Sequence, residues 1–415
     1  MAKVSRLSKC RMCGNENLVE VVDLGYLYMT GVFPKHKASQ GLTKGPLRLV
    51  KCHGSDACGL LQLDHSYDLG EMYGDNYGYR SGLNRHMVTH LHAKIAKIEA
   101  ITNLAAGDLV IDIGANDGTS LGAYRDDLML VGVDPTGAKF RQYYKKHVQL
   151  IPDFFSAKLI TEAYPGRKAK VITSFSMLYD LERPLSFASD IAQLLDSDDG
   201  IWVFEQSYMP LMLDRLAFDT ICHEHLEYYG LKQIIWMLDH VGLKVVDVEL
   251  NDINGGSFSV VAASKASNRR VETDKIEALL KDEETKGLNE LHPYEHFDHQ
   301  IKRICSELVQ LVKTAKAEGK MVAALGASTK GNVLLQYCGF TDQDIEVVGE
   351  VNPDKFGAYT PGTEIPIEDE KAVLARQYDY LIVLPWHFKE FFLQNNAFIG
   401  QHLLFPLPRI EAITP

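Results

Sequence analysis

Short apolar runs alternate with helical segments after Gly107, and this alternation limits the possible folds more than any other feature of the sequence. The runs include LVIDIG, LMLVGVD, VQLIPD, KVITSFSML and GIWVFEQ. Such alternation is typical of βαβ units and a mainly parallel sheet. It resumes after Gly319 in MVAALGAS, EVVGEVN and DYLIVLPW. We therefore predict two α/β domains, the second one smaller, with a long charged helical region between them over about 274–319.

Length and composition agree with several globular domains. The 415 residues exceed the ~100–200 of an ordinary domain. The sequence is 46% hydrophobic, 24% charged and has a formal net charge of −12, which argues against nucleic acid as a partner. We place a small module at 1–75, the first α/β domain at 76–265, and leading helices with the second α/β domain at 266–415.

The first ten residues, MAKVSRLSKC, contain no apolar run typical of a signal peptide. No other run approaches the ~18 apolar residues needed to cross a bilayer. We therefore expect a cytoplasmic protein with no membrane partner, in which seven cysteines serve as thiols or metal ligands. We also expect a monomer, because the three domains can cover one another.

Two pairs of cysteines in the N-terminal module predict a structural zinc ion. Cys10 and Cys13 form one pair, and Cys52 and Cys58 follow some forty residues later. Four thiolates satisfy tetrahedral zinc and leave no open position for catalysis. The second pair has an unusually long spacing, so His53 is an alternative ligand to Cys52. A small module of this kind usually needs such a stabilising site.

The segment Leu109–Gly118, LVIDIGANDG, predicts a ligand-binding turn between a strand and a helix. Gly114 allows a tight turn under a ligand, and Gly118 allows close helix packing. The turn carries acidic and amide side chains rather than bare amides, which suits the aminoacyl and sulfonium groups of S-adenosylmethionine better than a pyrophosphate. The residues that we expect to bind this methyl donor from the turn are Asp112, Gly114, Asn116, Asp117 and Gly118.

Two later strand ends complete this donor site. Asp134 ends the next strand, where its carboxylate can accept both ribose hydroxyls. Asp153 and Phe154 follow the third strand and are expected to flank the adenine, although an ordinary loop acid beside a core phenylalanine would look the same.

The segment Phe218–Tyr229, FDTICHEHLEYY, predicts acid and base chemistry. Histidine, glutamate and tyrosine are costly to bury without a purpose, and imidazole titrates near neutral pH. The sequence H-E-H lacks the i, i+4 histidines of a zinc hydrolase helix, so we expect no catalytic metal here. A purely structural polar cluster is the alternative.

The segment Leu325–Gly331, LGASTKG, predicts a phosphate site in the second α/β domain. It follows a strand and opens a helix, and its side chains are small, hydroxylated and cationic. A helix N-terminus with such groups can hold a diphosphate, through Ser328, Thr329 and Lys330. An ordinary helix cap is the alternative.

Together, these motifs resemble the sugar C-methyltransferases of deoxysugar biosynthesis, a family that includes the tetronitrose 3-C-methyltransferase. The resemblance rests on the cysteine module with MYGDNYGYRS at 72–81, IDIGANDG, FDTICHEH, NGGS at 254–257 and GASTK. It implies a class I methyltransferase domain between a zinc module and a nucleotide-sugar-binding domain. It further implies S-adenosylmethionine, zinc, and an NDP-4-keto-6-deoxysugar methylated at carbon 3.

The same resemblance implies roles for individual residues. His225 would be the base that forms an enolate, with Glu224 beside it and Tyr77 reaching in from the N-terminal module. Tyr79, Arg80 and Asn254 would contact the substrate, because they lie in the shared motifs.

Two positions depart from the tetronitrose enzyme. Cys222 replaces a tyrosine and Asp180 replaces a histidine, so His223 is a candidate for the missing function. These departures leave the substrate and the stereochemistry open.

Two other functions remain compatible with the sequence. One is O- or N-methylation of a sugar or small metabolite on the same scaffold, distinguished by whether the product has an acid-stable C-methyl group. The other is a non-catalytic protein that binds zinc and a nucleotide, against which the H-E-H cluster and the acidic turn both speak.

Overall fold

A computed structural model describes residues 4–37, 41–67 and 80–415, and the strands of this part of the chain form four sheets. A two-stranded and a four-stranded sheet belong mainly to the N-terminal region. A seven-stranded sheet follows, and a six-stranded sheet closes the chain. Within these described ranges, no helix is long and apolar enough to cross a membrane.

The N-terminal region is built on an antiparallel sheet. Its strands are β1 (Ser5–Arg6), β2 (Leu18–Tyr28), β3 (Lys44–Cys52), β4 (Leu61–Leu63) and β5 (His65–Ser66). β2 pairs with β3, and β3 pairs with β4. Two register shifts in β2, between Glu20 and Val22 and between Asp23 and Tyr26, interrupt the alternation of its side chains.

The central domain contains the predicted mainly parallel sheet. Its strands are β6 (Leu109–Ile113), β7 (Met129–Val133), β8 (Gln149–Ile151), β9 (Ala169–Phe175), β10 (Ile201–Ser207), β11 (Glu227–Tyr228), β12 (Leu243–Asn251) and β13 (Ser257–Ser264). All but β11 form one sheet in the order β12-β13-β10-β9-β6-β7-β8, and β13 is antiparallel to β10 and β12. This is the order of class I methyltransferases, so the predicted fold is confirmed.

The remaining strand, β11, joins the N-terminal sheet instead. It pairs antiparallel with β4, so that Glu227 lies opposite Gln62 and Tyr228 opposite Leu61. Because β11 follows the H-E-H segment directly, that segment is held between the central domain and the N-terminal module.

Helices cover both faces of the central sheet, as expected for strands buried on both sides. They are α1 (Arg85–Ile101), α2 (Gly137–Phe140), α3 (Ala157–Ala163), α4 (Pro184–Leu194), α5 (Met209–Asp214) and α6 (Leu231–His240). α1 begins after Asn84, whose side chain accepts hydrogen bonds from the His86 and Met87 amides. Leu83 lies just before this helix and is 57% exposed.

The C-terminal domain has the strand order of a dinucleotide-binding fold. Its helices are α7 (Thr273–Thr285), α8 (His292–Ala317), α9 (Thr329–Tyr337), α10 (Glu370–Leu374) and α11 (Lys389–Gln394). Its strands are β14 (Val322–Leu325), β15 (Val348–Glu350), β16 (Ile367–Asp369), β17 (Tyr380–Val383), β18 (Leu403–Phe405) and β19 (Glu411–Ile413). The order is β16-β15-β14-β17-β18-β19, with β19 antiparallel to β18. The predicted long helical region is two helices, separated near Gly287, which has a φ of 68°.

Candidate functional site

The four predicted cysteines meet at one point of the N-terminal module. The Sγ atoms of Cys10, Cys13, Cys52 and Cys58 all lie within 4.8 Å of one another. The Cys10–Cys58 and Cys13–Cys52 sulfur distances are 3.6 and 3.5 Å. Zn–S bonds of 2.3 Å in a tetrahedron require sulfurs about 3.8 Å apart, so these four thiols fit zinc. His53, the alternative ligand, is outside this group of four.

Arg11 connects this metal site to the loop after β9 in the central domain. Its guanidinium donates to the carbonyl oxygens of Leu63 at 2.6 Å and His65 at 2.8 Å. Its Nε lies 3.5 Å from Glu182 Oε2, and the arginine side chain is only 1% exposed. Glu182 lies two residues after Asp180. Arg11, which stands between Cys10 and Cys13, therefore holds the loop after β9 against the N-terminal module.

The turn after β6 has the backbone that the glycines predicted. Gly114 has a φ of 71°, and a Cβ there would lie 3.1 Å from Met177 Cγ. Gly118 has a φ of 77°, and a Cβ would lie 2.9 Å from the ring of Tyr144. Both positions therefore require glycine, because L-residues with side chains are strained at positive φ and have no room here.

Two side chains of this turn hold the segment that leads into α1. Asn116 Oδ1 accepts from the Ser81 amide at 3.0 Å, and Asp117 Oδ2 accepts from the Gly82 amide at 2.9 Å. Arg80 lies 3.6 Å from the same Asp117 oxygen. The predicted donor turn is thus in direct contact with Arg80, a residue that we expected to bind substrate.

The strand-end acids lie where a ribose and an adenine would be expected. Asp134 is 6% exposed, and its two oxygens accept from the Asn116 amide at 2.7 Å and the Thr136 amide at 2.6 Å. Oδ1 also accepts from Thr136 Oγ1 at 2.6 Å, a hydroxyl that can rotate to another acceptor, and Oδ2 can accept a second hydrogen bond, so Asp134 can accept from a ribose diol. Asp153 caps the Phe154 amide, and Phe154 is 55% exposed, which leaves its ring available to a ligand.

Asp112 lies within the strand rather than at its end. It is 3% exposed and accepts from Thr173 Oγ1 at 2.5 Å. Burial raises its pKa to about 7.

His225 has the tautomer of a base. Its Nδ1 lies 2.8 Å from the carbonyl oxygen of Thr220, which can only accept, so Nδ1 carries the proton and Nε2 has a free lone pair. Burial and the charge of Lys330 lower the pKa of this imidazole to about 4. The ring centroid is 4.4 Å from that of Tyr179. His225 is therefore a neutral, oriented imidazole near pH 7.

Glu224 lies where all three parts of the chain meet. It belongs to the central domain, while Gly31 of the N-terminal module and Thr329 at the start of α9 are its neighbours. A Cβ on residue 31 would overlap Glu224 Oε1 and lie 3.6 Å from Thr329 Oγ1. Burial raises the pKa of the Glu224 carboxyl to about 7.

The other predicted catalytic residues are more enclosed or outside the described ranges. Cys222 is 0% exposed and His223 is 1% exposed. His223 Nε2 faces the Gly45 carbonyl oxygen at 3.4 Å, and its ring packs edge-on against Tyr67. Asp180 is half-buried and close enough to Cys222 to raise the pKa of that buried thiol further. Tyr77 and Tyr79 lie outside the described residues.

The turn after β14 caps helix α9 and leads to Lys330, whose side chain contacts the central domain. Ser328 Oγ accepts from the Gly331 amide at 3.0 Å, as in an ordinary helix cap. Lys330 Nζ donates to the carbonyl oxygen of Asn254 at 2.7 Å. This turn and the loop after β17 lie at the point where the strand order reverses, which is where α/β sheets bind ligands.

Sequence reasoning placed Asn254 in the site but missed Ser176, Asp219 and Trp386 at this junction. Trp386 Nε1 donates to Asp219 Oδ2 at 2.9 Å, and Asp219 is only 1% exposed. Ser176 and Asn254 have left-handed φ values of 54° and 55°, and their side chains lie 3.4 Å apart. Strained backbone of this kind often occurs at functional sites. Polar residues directly after β9 and β17 were the available signal.

Three family models match consecutive parts of the chain. A domain described as "Putative zinc binding domain" matches residues 10–73, a methyltransferase domain matches 83–248, and a C-methyltransferase C-terminal domain matches 252–408. The first match contains the four-cysteine site, and the second contains the turn after β6, Asp134 and the H-E-H segment. The boundaries that we placed after residues 75 and 265 stay a prediction.

One curated relative matches nearly the whole chain. The C-methyltransferase NovU of Streptomyces niveus is 29% identical over 420 residues, which is 99% of this chain and 98% of the relative. Two similar solved structures each align with less than half of this chain. A magnesium protoporphyrin IX methyltransferase from Synechocystis PCC 6803 with bound SAH is 16% identical with a TM-score of 0.34, over 46% of this chain and 90% of that one. A methyltransferase from Clostridium acetobutylicum is 14% identical with a TM-score of 0.34, over 43% and 92%.

Proposed function

We propose, from the premise that this chain is a zinc-binding, S-adenosylmethionine-dependent C-methyltransferase, that it methylates carbon 3 of an NDP-4-keto-6-deoxysugar, with His225 as the base. The observation that carries the proposal is the Nδ1 contact of His225 with the Thr220 carbonyl oxygen, at 2.8 Å. This contact leaves Nε2 able to accept a proton at neutral pH.

The substrate class is the one implied by the resemblance to sugar C-methyltransferases, and the chemistry of a C-methylation is compatible with it. A carbon nucleophile requires removal of a proton beside an electron-withdrawing group, and a 4-keto sugar has such a proton at carbon 3. The bound donor supplies an electrophilic methyl group on its sulfonium. His225 takes the carbon 3 proton, the enolate carbon forms the new bond to the methyl group, and the sulfur keeps the electron pair of the broken bond.

The C-terminal domain supports the nucleotide part of this proposal. Its strand order, the turn at Gly326 and the start of α9 are the usual elements of a nucleotide site at a strand-order reversal. Gly326 has a φ of 81°, and a Cβ there would lie 2.7 Å from the ring of Pro385 in the loop after β17. The turn after β14 and the loop after β17 therefore pack directly against each other at the start of α9.

His225→Asn tests the base directly. A positioned general base typically contributes ~10²–10⁴-fold, so turnover of a panel of NDP-4-keto-6-deoxysugars should fall by that range with little change in sugar affinity. In deuterated water with S-adenosylhomocysteine bound, the parent protein should exchange the carbon 3 proton and the variant should not. His296→Asn, on an exposed position of α8, is the matched control.

Two results would contradict the proposal. Exchange and methylation by His225→Asn at the parent rate would exclude His225 as the base. A product whose new methyl group has the NMR chemical shift of a methoxy group would indicate O-methylation instead.

A further inference from the structure

We propose that Lys330 is a catalytic residue that stabilises the negative charge of the enolate oxygen, rather than a ligand of the diphosphate. The motif GASTKG favoured a phosphate contact, but the structure directs the lysine elsewhere. The inference rests on the proposed function, because it needs an enolate in the same site.

The ammonium group of Lys330 contacts the central domain, although Lys330 belongs to the C-terminal domain. Nζ donates to the Asn254 carbonyl oxygen at 2.7 Å, across the boundary to the loop before β13. Asn254 presents this oxygen from a left-handed backbone, with a φ of 55° and a ψ of 21°, a conformation that is costly for a residue with a side chain. Among the described residues Nζ has no other hydrogen-bond partner, so two of its three protons remain for a ligand.

Lys330 shares its surroundings with the base. Its positive charge lowers the pKa of both His225 and His387, and it offsets part of the burial that raises the pKa of Asp219. Cys222 is also within its electrostatic range. The charge of Lys330 therefore acts on the loop that carries the base and on the loop after β17.

Asp219 adds an independent sign that a polar ligand belongs here. It is 1% exposed, and Trp386 Nε1 donates to its Oδ2 at 2.9 Å. Its other oxygen, Oδ1, has no hydrogen-bond partner within the described parts of the chain. An unsatisfied buried carboxylate oxygen is costly, so a donor or a bound molecule is expected beside it.

The chemistry of the reaction needs a cation at this place. Removing the carbon 3 proton moves an electron pair toward the 4-keto oxygen, and a preorganised ammonium in a partly buried site stabilises that developing charge. His225 is neutral before it takes the proton, so it offers no positive charge at the start of the step. Another lysine remains near the turn for a phosphate: Lys355 Nζ donates to the Ala327 carbonyl oxygen at 2.6 Å.

Two substitutions test this role in the full-length, zinc-loaded protein. Lys330→Met removes the charge, Lys330→Arg keeps it, and Lys313→Met is the control at an exposed position of α8. Loss of one electrostatic stabiliser typically costs ~10²–10³-fold in kcat. We therefore expect Lys330→Met to lose that much in both kcat and carbon 3 exchange, while the dissociation constants of UDP and dTDP change less than about threefold.

The pH profile separates a catalytic charge from a structural one. Burial lowers the pKa of Lys330, so kcat of the parent should fall on the alkaline side as the lysine loses its proton. Arginine stays charged throughout, so Lys330→Arg should retain part of kcat and lose this alkaline decline.

The proposal is overturned if Lys330→Met weakens UDP or dTDP binding about tenfold or more, because that result would assign the lysine to the diphosphate. It is also overturned if kcat of Lys330→Met at saturation stays within threefold of the parent. The nucleotide titration needs no turnover, so it decides even if none of the 4-keto sugars is methylated, which would count against the proposed function alone. Exchange by His225→Asn at the parent rate would likewise count against the base and not against Lys330.

Discussion

Glu224 lies so close to the backbone of Gly31 that a Cβ atom on residue 31 would overlap its Oε1 atom. Gly31 follows β2 in the N-terminal module, whereas Glu224 is the central residue of the H-E-H sequence. Because Thr329 Oγ1 faces the same point, three parts of the chain close around one carboxyl group. The N-terminal module therefore shapes the proposed active site in addition to carrying the zinc site.

Gly31→Ala should impair catalysis without unfolding the protein. The added methyl group must displace the Glu224 carboxyl, and a displacement of about 1 Å near reacting groups can cost ~10²-fold in rate. We expect kcat to fall at least tenfold while S-adenosylmethionine binding is unchanged. Gly122→Ala is the control, because a Cβ there meets nothing within 4 Å. Parent-like kcat for Gly31→Ala would show that the position of Glu224 is unimportant.

The sequence predicted what is local and missed what depends on domain packing. Gly114, Asp134 and the four cysteines could be proposed because a turn, a strand end and a ligand spacing are readable within one segment. The contact of Gly31 with Glu224 and the crossing of Lys330 to Asn254 join segments that are far apart in the chain. No periodicity or spacing records such contacts, since each depends on how separately folded parts meet.

The zinc ligands can be separated by a pair of adjacent substitutions. Cys52→Ser should lose most of the bound zinc and lower the thermal stability of the N-terminal module, because metal binding and folding are coupled in such sites. His53→Ala should keep one zinc per chain, since His53 lies outside the four-sulfur group. Elemental analysis of protein purified without chelator decides between them. Equal zinc loss in Cys52→Ser and His53→Ala would contradict the choice of Cys52, rather than His53, as the zinc ligand.

Asp134→Ala should weaken S-adenosylmethionine binding by about 1.5–3 kcal/mol, the usual range for a charge-assisted contact. Calorimetric titration measures the change. The carboxylate also accepts the amides of Asn116 and Thr136, so a weaker affinity alone could reflect a distorted turn.

A ligand without ribose hydroxyls removes this ambiguity. A dideoxyribose analogue of S-adenosylhomocysteine should bind the parent more weakly than the natural compound does, and Asp134→Ala should make little further difference. An equal loss for both ligands would mean that Asp134 supports the turn rather than the ribose.

Glu224→Gln should make the protein less active but more stable at alkaline pH. Burial raises the pKa of this carboxyl to about 7 in the folded protein, whereas a glutamate in the unfolded chain titrates near 4.5. Between these values the folded state keeps a proton that the unfolded state has released. Stability of the parent therefore falls as pH rises through this window, and the penalty is fully present above pH 7.

Glutamine has no charge to bury, so the stabilisation of Glu224→Gln relative to the parent should be small near pH 5 and grow to roughly 2–3 kcal/mol at pH 8.5. The pKa of His225 is lowered to about 4, which also makes stability depend on pH below 6.5, but both proteins share this effect and it cancels in their difference. Thermal unfolding at several pH values measures the difference.

Glu290→Gln, at an exposed position, should show no pH-dependent gain. A stability difference between Glu224→Gln and the parent that does not change with pH would mean that the Glu224 carboxyl is solvated, and its enclosure against Gly31 would not hold in solution.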